Sequence, residues 1–313
     1  MILCVTPNPA IDRTARVDRV KVDAILRPTE VVALPGGKGV NIARAVTRLG
    51  ALAATSGIAG GHAGRWLVES LAREGLNPRF VDDAQETRTT YVAVDDRGHA
   101  ISVYEPSAPV ANESFDALLE LLSRELLPAC SSVAFAGSLP RGLEPGRFSA
   151  FVEAARRAAR RSLVDTSGPA LAAAVVAGPD IVKVSLDEAE AAGFGAHERL
   201  GPATRVRAAV DDLMSRGARA AMVTDGPRPA VAGDGRSMWS IAPPSIRALS
   251  ATGSGDATNA GILVSLEEGR SFEEAVVRGV AAGAANALGL GAGRLDPAEF
   301  ERLVPNVRLE LQR

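Results

Sequence analysis

Cysteine, histidine and aromatic residues are scarce in this chain of 313 residues, which carries 2 Cys, 3 His, 2 Trp, 2 Tyr and 8 Phe. Cys4 and Cys130 each stand in or beside apolar sequence. They are too few for a disulfide framework and read as buried thiols of a reducing, cytoplasmic compartment. His62, His99 and His197 are scattered, form no His-Glu-x-x-His spacing and are read as loop residues. No Gly-x-Ser-x-Gly elbow is present, so Ser-His-Asp hydrolysis lacks its signature. Charge of one sign is lacking too. The 35 basic residues face 37 acidic ones, a net charge of −2, and nothing points to nucleic acid or an anionic membrane as a partner. No apolar run is long enough to span a bilayer. The opening Ile2-Leu3-Cys4-Val5-Thr6 is too short and uncharged for a signal peptide. Two familiar phosphate loops are also missing. The only Gly-Lys pair, Gly37-Lys38, is followed by Gly39 rather than Ser or Thr, and the third glycine of a dinucleotide fingerprint is replaced by Thr258.

What is present is alternation. Buried strands are expected at 2–6, 54–58, 133–136, 163–165, 181–184 and 221–224, with helices at 40–49, 66–74, 115–122, 146–160 and 205–216. In the first helix Ile42, Ala45, Val46 and Leu49 fall on one face at helical spacing. Strand–helix alternation implies an α/β fold whose mostly parallel sheet is covered on both sides. Ligands of such sheets bind at the carboxyl ends of the strands. Two segments break the pattern. Residues 13–34 are β-branched and charged with no helical period, and 89–94 with 100–104 read as a hairpin joined by Asp95-Asp96-Arg97-Gly98. Segments 13–34 and 88–106 are therefore expected to form a small strand-built lid on one main domain spanning 1–313.

The most informative stretch is Ala251-Thr252-Gly253-Ser254-Gly255-Asp256-Ala257-Thr258, which opens an apolar helix at 260–266. Glycines 253 and 255 strip the turn of side chains, and a helix N-terminus adds partial positive charge. That suits phosphate, or the charge that builds up while phosphate is transferred. Asp256 would repel a resting anion there, but it is in place to accept a proton from a hydroxyl that attacks the phosphate. The plainer reading of the same residues is a helix start with Asp256 as its cap.

Pro35-Gly36-Gly37-Lys38-Gly39-Val40-Asn41 is the second signal. Its glycines admit a substrate to the backbone, Lys38 offers a point charge for phosphate and Asn41 a partner for a hydroxyl. A tight turn with a solvated lysine is the alternative. Asp12, just after the first strand, suits two sugar hydroxyls or a surface turn. Arg88 offers a planar fork for phosphate or is merely solvated, and Arg27 is a weaker candidate. Ser138, Asp165 and the run Lys183-Val184-Ser185-Leu186-Asp187-Glu188 place further polar groups at strand ends.

These residues, in this order, resemble the ribokinase/PfkB family of carbohydrate kinases, a likeness that runs from Thr6-Pro7-Asn8-Pro9-Ala10-Ile11-Asp12 to Gly283-Ala284-Ala285-Asn286-Ala287. Lys38 within the glycine motif resembles the branch that phosphorylates sugar phosphates, such as 1-phosphofructokinase and tagatose-6-phosphate kinase. The resemblance implies a ribokinase-like three-layer sandwich and a kinase that uses ATP and Mg²⁺. It implies Asp256 as general base, with an anion hole of backbone N–H groups from Gly253, Ser254, Gly255 and Asp256. It places Asp12, Gly36, Gly37 and Asn41 on the sugar, and Lys38, Arg88 and Ser138 at the phosphate the sugar already carries. Lys183, Ser185, Thr224, Gly226 and Asn286 match positions around the nucleotide, and Glu188 matches the acid that organises Mg²⁺ through water. Three departures stand out. Ser185 takes the place of an asparagine in Lys-Pro-Asn-x-x-Glu. Pro229 replaces a nucleotide-loop glycine, with Asp225 adding negative charge nearby. Ala257 replaces a serine after Asp256.

The reading is an ATP-dependent kinase of a ketohexose phosphate (fructose 1-phosphate, tagatose 6-phosphate or fructose 6-phosphate) that yields a hexose bisphosphate. The rivals are a kinase of a free sugar or nucleoside and a sugar-phosphate sensor without turnover. An exposed lid edge would allow a homodimer.

Overall fold

The computed structural model describes residues 1–195 and 201–312, so His197 lies outside the described residues. Its strands are β1 (Ile2–Thr6), β2 (Ala10–Arg16), β3 (Glu30–Gly36), β4 (Ala53–Gly60), β5 (Pro78–Asp83), β6 (Arg88–Val94) and β7 (Ala100–Tyr104), followed by β8 (Ser132–Ala136), β9 (Arg161–Asp165), β10 (Ile181–Ser185), β11 (Ala220–Asp225), β12 (Arg228–Gly233), β13 (Met238–Ala242) and β14 (Arg308–Gln312). Ten of them form one sheet in the order β14-β13-β12-β11-β10-β9-β8-β1-β4-β5. From β5 across to β11 every pairing is parallel, whereas β12, β13 and β14 are added antiparallel.

Strict alternation of side chains across the sheet makes two cores. Ile2 and Cys4 of β1 face one core, and Leu3 and Val5 face the other. In β8 Ala134 and Ala136 oppose Val133 and Phe135 in the same way. Strands buried on both faces read as continuous apolar runs, so each expected strand lies within or overlaps an observed one. The four unexpected strands of the large sheet are β5, β12, β13 and β14. β5 and β14 are edge strands, β12 opens on the exposed Arg228-Pro229, and β13 alternates buried and half-buried residues around Ser240. The expected helix at 146–160 is shorter, a 3₁₀ turn at Pro145–Phe148 followed by Ser149–Arg157.

β1 is the switch point. The chain winds from it through β4 to β5 on one side and through β8 to β11 on the other, which opens a crevice at the carboxyl ends. The helix Ser254–Glu267 lies behind that crevice with Asp256 through Ser265 all buried, so it carries no amphipathic stripe. The remaining strands form a separate sheet, β3-β2-β6-β7. It is mixed: β2 pairs antiparallel with β3 and parallel with β6. Only the ends of the expected 13–34 segment are strand, since 17–29 has no regular structure. Among the described residues no helix is long and apolar enough to cross a membrane.

Candidate active site

A cleft of about 1090 Å³ lies between the carboxyl ends of the large sheet and the small sheet. Asp12, Gly37, Lys38, Asn41, Arg88, Ser138, Lys183, Ser185, Glu188, Thr224, Gly226 and Gly253–Asp256 all line it, whereas Gly36 and Asn286 do not.

At its floor the chain turns into the Ser254–Glu267 helix through Gly253, whose φ of 80° is left-handed and suits only glycine without strain. Gly253 itself is the cap residue, and Asp256 is the third residue inside the helix, so the capping role open in the sequence is not the one Asp256 fills. The helix begins bonding with Ala257 N–H to Gly253 O at 2.9 Å, and Ser254 N–H donates to Ala251 O at 3.1 Å. The amides of Gly255 and Asp256 therefore have no carbonyl one turn back and stand at the positive end of the helix.

Asp256 is only 6% exposed, and Asn41 Nδ2 donates to its Oδ2 at 2.9 Å. Burial, helped by the negative charge of Asp165, pushes its carboxyl up to about 7, while Lys38, Asn41 and Lys183 pull the other way. A carboxyl that gains and loses a proton near neutral pH has the property a general base needs.

Asp165, at the end of β9, is the hub of the cleft. Lys38 Nζ donates to its Oδ1, Asn259 Nδ2 donates to Oδ2 at 2.6 Å, and Lys183 Nζ stands 3.5 Å from Oδ2. Burial acts to raise its pKa, but Lys38 and Lys183 outweigh that and hold it below the usual carboxylate range. Lys38 also donates to Glu188 Oε1 at 2.6 Å. Burial disfavours the Lys38 cation, yet Asp165 and Glu188 more than compensate and hold its pKa well above the usual lysine value. Glu188 in turn is fixed by Ser185, whose N–H and Oγ each donate to Oε2 at 2.9 Å, while Glu188 N–H donates back to Ser185 Oγ at 3.3 Å. This is a capping box on the Leu186–Ala191 helix. The short hydroxyl that departs from the family pattern thus holds Glu188.

Under the small sheet, a side chain on Gly36 would stand 2.0 Å from Asp12 Oδ2, so only glycine leaves room for that carboxylate. Thr90 Oγ1 donates to Asp12 Oδ1 at 2.6 Å. Burial raises the Asp12 carboxyl above its ordinary value, against the hydrogen bond from Thr90 and the charges of Arg44 and Arg88. Arg88 lines the same end. Its Nε is buried without a hydrogen-bond partner among the described residues, and Asn8 links it to Ser138 through bonds of 3.4 and 3.0 Å. At the other end, Arg228 donates twice to Asp225 at 2.6 Å, which neutralises the extra acid. Asn286 spans from Thr252 O to Gly293 N–H, each at 2.9 Å, and so braces the loop before Gly253.

A family model for pfkB family carbohydrate kinases matches residues 4–299. The chain belongs to the pfkB family. It is 31% identical over 292 residues to the ATP-dependent 6-phosphofructokinase isozyme 2 of Escherichia coli, covering 93% of each chain. A tetrameric inhibited form of that organism's phosphofructokinase-2 superposes with a TM-score of 0.86 at 29% identity, covering 97% of this chain and 98% of the other. The structure of a possible 1-phosphofructokinase from Thermotoga maritima shares the fold over all of both chains, with a TM-score of 0.90 at 23% identity. Sequence patterns do not mark as site residues two that line the cleft, Asp165 and Arg44, or Asn259, which bonds Asp165 from behind it. Asp165 was visible only as a polar strand end. Asn259 and Arg44 sit three residues after Asp256 and Asn41 on their helices, a spacing that puts each beside a motif residue.

Proposed function

We propose that this pfkB-family chain transfers the γ-phosphoryl group of ATP to a hydroxyl of a ketohexose phosphate, giving a hexose bisphosphate. The observation that carries the reading is the buried Asp256 carboxylate, raised to about 7, beside the two unmatched amides of its own first helical turn. In the reaction the sugar hydroxyl loses its proton to Asp256 as its oxygen bonds to the γ-phosphorus. The bond to the bridging oxygen breaks and leaves ADP. The Gly255 and Asp256 amides face the charge on the transferring group.

Asp12, Gly37 and Asn41 hold the sugar, and Arg88 with Ser138 takes its resident phosphate. Lys183, Thr224 and Gly226 border the nucleotide. Lys38 is engaged by both Asp165 and Glu188. That leaves Arg88 as the main cation for the resident phosphate and favours testing a free sugar as the second reading. Glu188 would orient Mg²⁺, which sits on nucleotide phosphates, binds few protein carboxylates and keeps several waters through which this acid can act. When bound it would supply neutralising charge to the triphosphate.

The small sheet serves as the lid of a single domain. Its exposed Val31, Val103 and Tyr104 favour pairing of two copies through it. A cytoplasmic enzyme fits the two buried free thiols, Cys4 and Cys130.

The test is single-turnover transfer from γ-labelled ATP to fructose 6-phosphate. Wild-type protein should label the sugar, and Asp256→Asn should be slower by at least about 10²-fold with sugar affinity little changed. Equal rates would remove Asp256 from the role.

A further inference from the structure

Arg44 is charged, long and only 5% exposed; it lines the cleft and bonds Asn41, yet the roles above give it no part of its own. A buried guanidinium is costly unless every face is matched. Here Nε donates to Glu74 Oε2 at 2.6 Å and one terminal nitrogen to Glu74 Oε1 at 3.3 Å. The same terminal nitrogen donates to Pro35 O at 2.6 Å. The other donates to Ala292 O at 2.9 Å and to Asn41 Oδ1 at 3.2 Å.

The last contact decides which way Asn41 points. An amide can be placed either way round, and its orientation follows from its neighbours. A guanidinium has only donors, so the Asn41 atom facing it must be the oxygen. The Asn41 nitrogen is then forced toward Asp256 Oδ2, the bond observed at 2.9 Å. Reversed, the amide would set N–H against N–H at Arg44 and oxygen against carboxylate at Asp256.

We propose that Arg44, anchored by Glu74, is a positioning residue for the reaction: it fixes the Asn41 amide so that this amide holds the Asp256 carboxylate in place for proton transfer. The inference rests on Asp256 being the base. Arg44 acts only through Asn41 on this path, so its loss should matter little once Asn41 can no longer make the bond.

The experiment is a double-mutant cycle on kcat, with KM for ATP and for fructose 6-phosphate measured alongside. Asn41→Leu and Arg44→Met should each lower kcat by about tenfold or more, the scale of a hydrogen bond to a charged group, with KM for ATP little changed. The double variant should be no more than about threefold slower than Asn41→Leu alone. A merely structural Arg44 would give losses that multiply. A double variant whose loss reaches the product of the single losses within about threefold overturns the proposal, as does an Asn41→Leu enzyme with wild-type kcat. Melting temperature reports folding. Arg44→Lys, which keeps a cation but cannot reach all four partners, serves the same cycle where Arg44→Met does not fold. Asp256→Asn run in parallel separates the two readings: if it keeps full activity the base assignment fails, and if it is inactive while the cycle is multiplicative only the role of Arg44 fails.

Discussion

Replacing Asp256 with asparagine should make the protein more stable at alkaline pH while slowing its reaction by at least about 10²-fold. A carboxyl titrates near 3.9 in an unfolded chain, and Asp256 does so at about 7 in the fold. Below about pH 4 both states hold the proton. Between these values the unfolded state releases it and the native state does not, so stability falls as pH rises, by about 1.4 kcal/mol per pH unit. Above 7 the penalty is complete. From pH 5 to pH 8 the native state should therefore lose about 3 kcal/mol through this one group. Asparagine carries no such term. The gain of Asp256→Asn over wild type, measured by urea unfolding at equal protein concentration, should be about 3 kcal/mol larger at pH 8 than at pH 5. The difference between the two proteins cancels the titrating groups that do not interact with Asp256, and the coupled Asp165 and Lys38 are held below and above the window from pH 5 to pH 8. A gain that is equal at both pH values within about 1 kcal/mol would show that Asp256 ionises normally. The argument that burial prepares it as a base would then be wrong.

Arg88→Ala should raise KM for the sugar phosphate by about tenfold or more and leave KM for ATP nearly unchanged, as steady-state kinetics with each substrate varied would show. Glu188→Gln should move the Mg²⁺ dependence of the initial rate to higher concentration at fixed ATP. Ser185→Ala should move it the same way but less, because the hydroxyl acts by holding Glu188, and should cost about 1 kcal/mol of stability as a lost helix cap, read from melting curves. A Glu188→Gln curve that does not move would shift the metal to other groups.

Much of the fold was legible because central parallel strands are buried on both faces and announce themselves as apolar runs between helical patterns. β12, β13 and β14 were not, since β12 begins on Arg228-Pro229 while β13 and β14 mix polar and apolar residues; Leu311 in β14 is 65% exposed. The glycine motifs were legible as sites because their spacing encodes backbone geometry, and they do meet at one cleft. What the motifs could not disclose is which partner each side chain takes. Lys38 reads as a phosphate ligand but pairs with Asp165 and Glu188, because the fold sets the end of β9 against the start of the Lys38–Arg48 helix and so brings an acid 127 residues away into contact. Ser185 reads as a nucleotide-side position that has lost the family's asparagine, yet its local capping geometry makes it the support of Glu188. Asn286 reads as a nucleotide contact, yet both ends of its amide are taken up by the backbone of neighbouring loops. Arg44 carries no motif at all. Its meaning appears only when the end of β3 at Pro35, the loop at Ala292 and the Asp256 helix are brought together around it.

The central claim is that a ketohexose phosphate is the acceptor. Purified protein should be given ATP and Mg²⁺ with fructose 6-phosphate, fructose 1-phosphate, tagatose 6-phosphate, free fructose and free ribose in turn. ADP formation gives the rate, and phosphorus NMR identifies the product. One of the three sugar phosphates should be converted to a bisphosphate with kcat/KM well above that of either free sugar. Equal or faster turnover of free fructose or ribose, or no turnover of any sugar phosphate, would contradict the account.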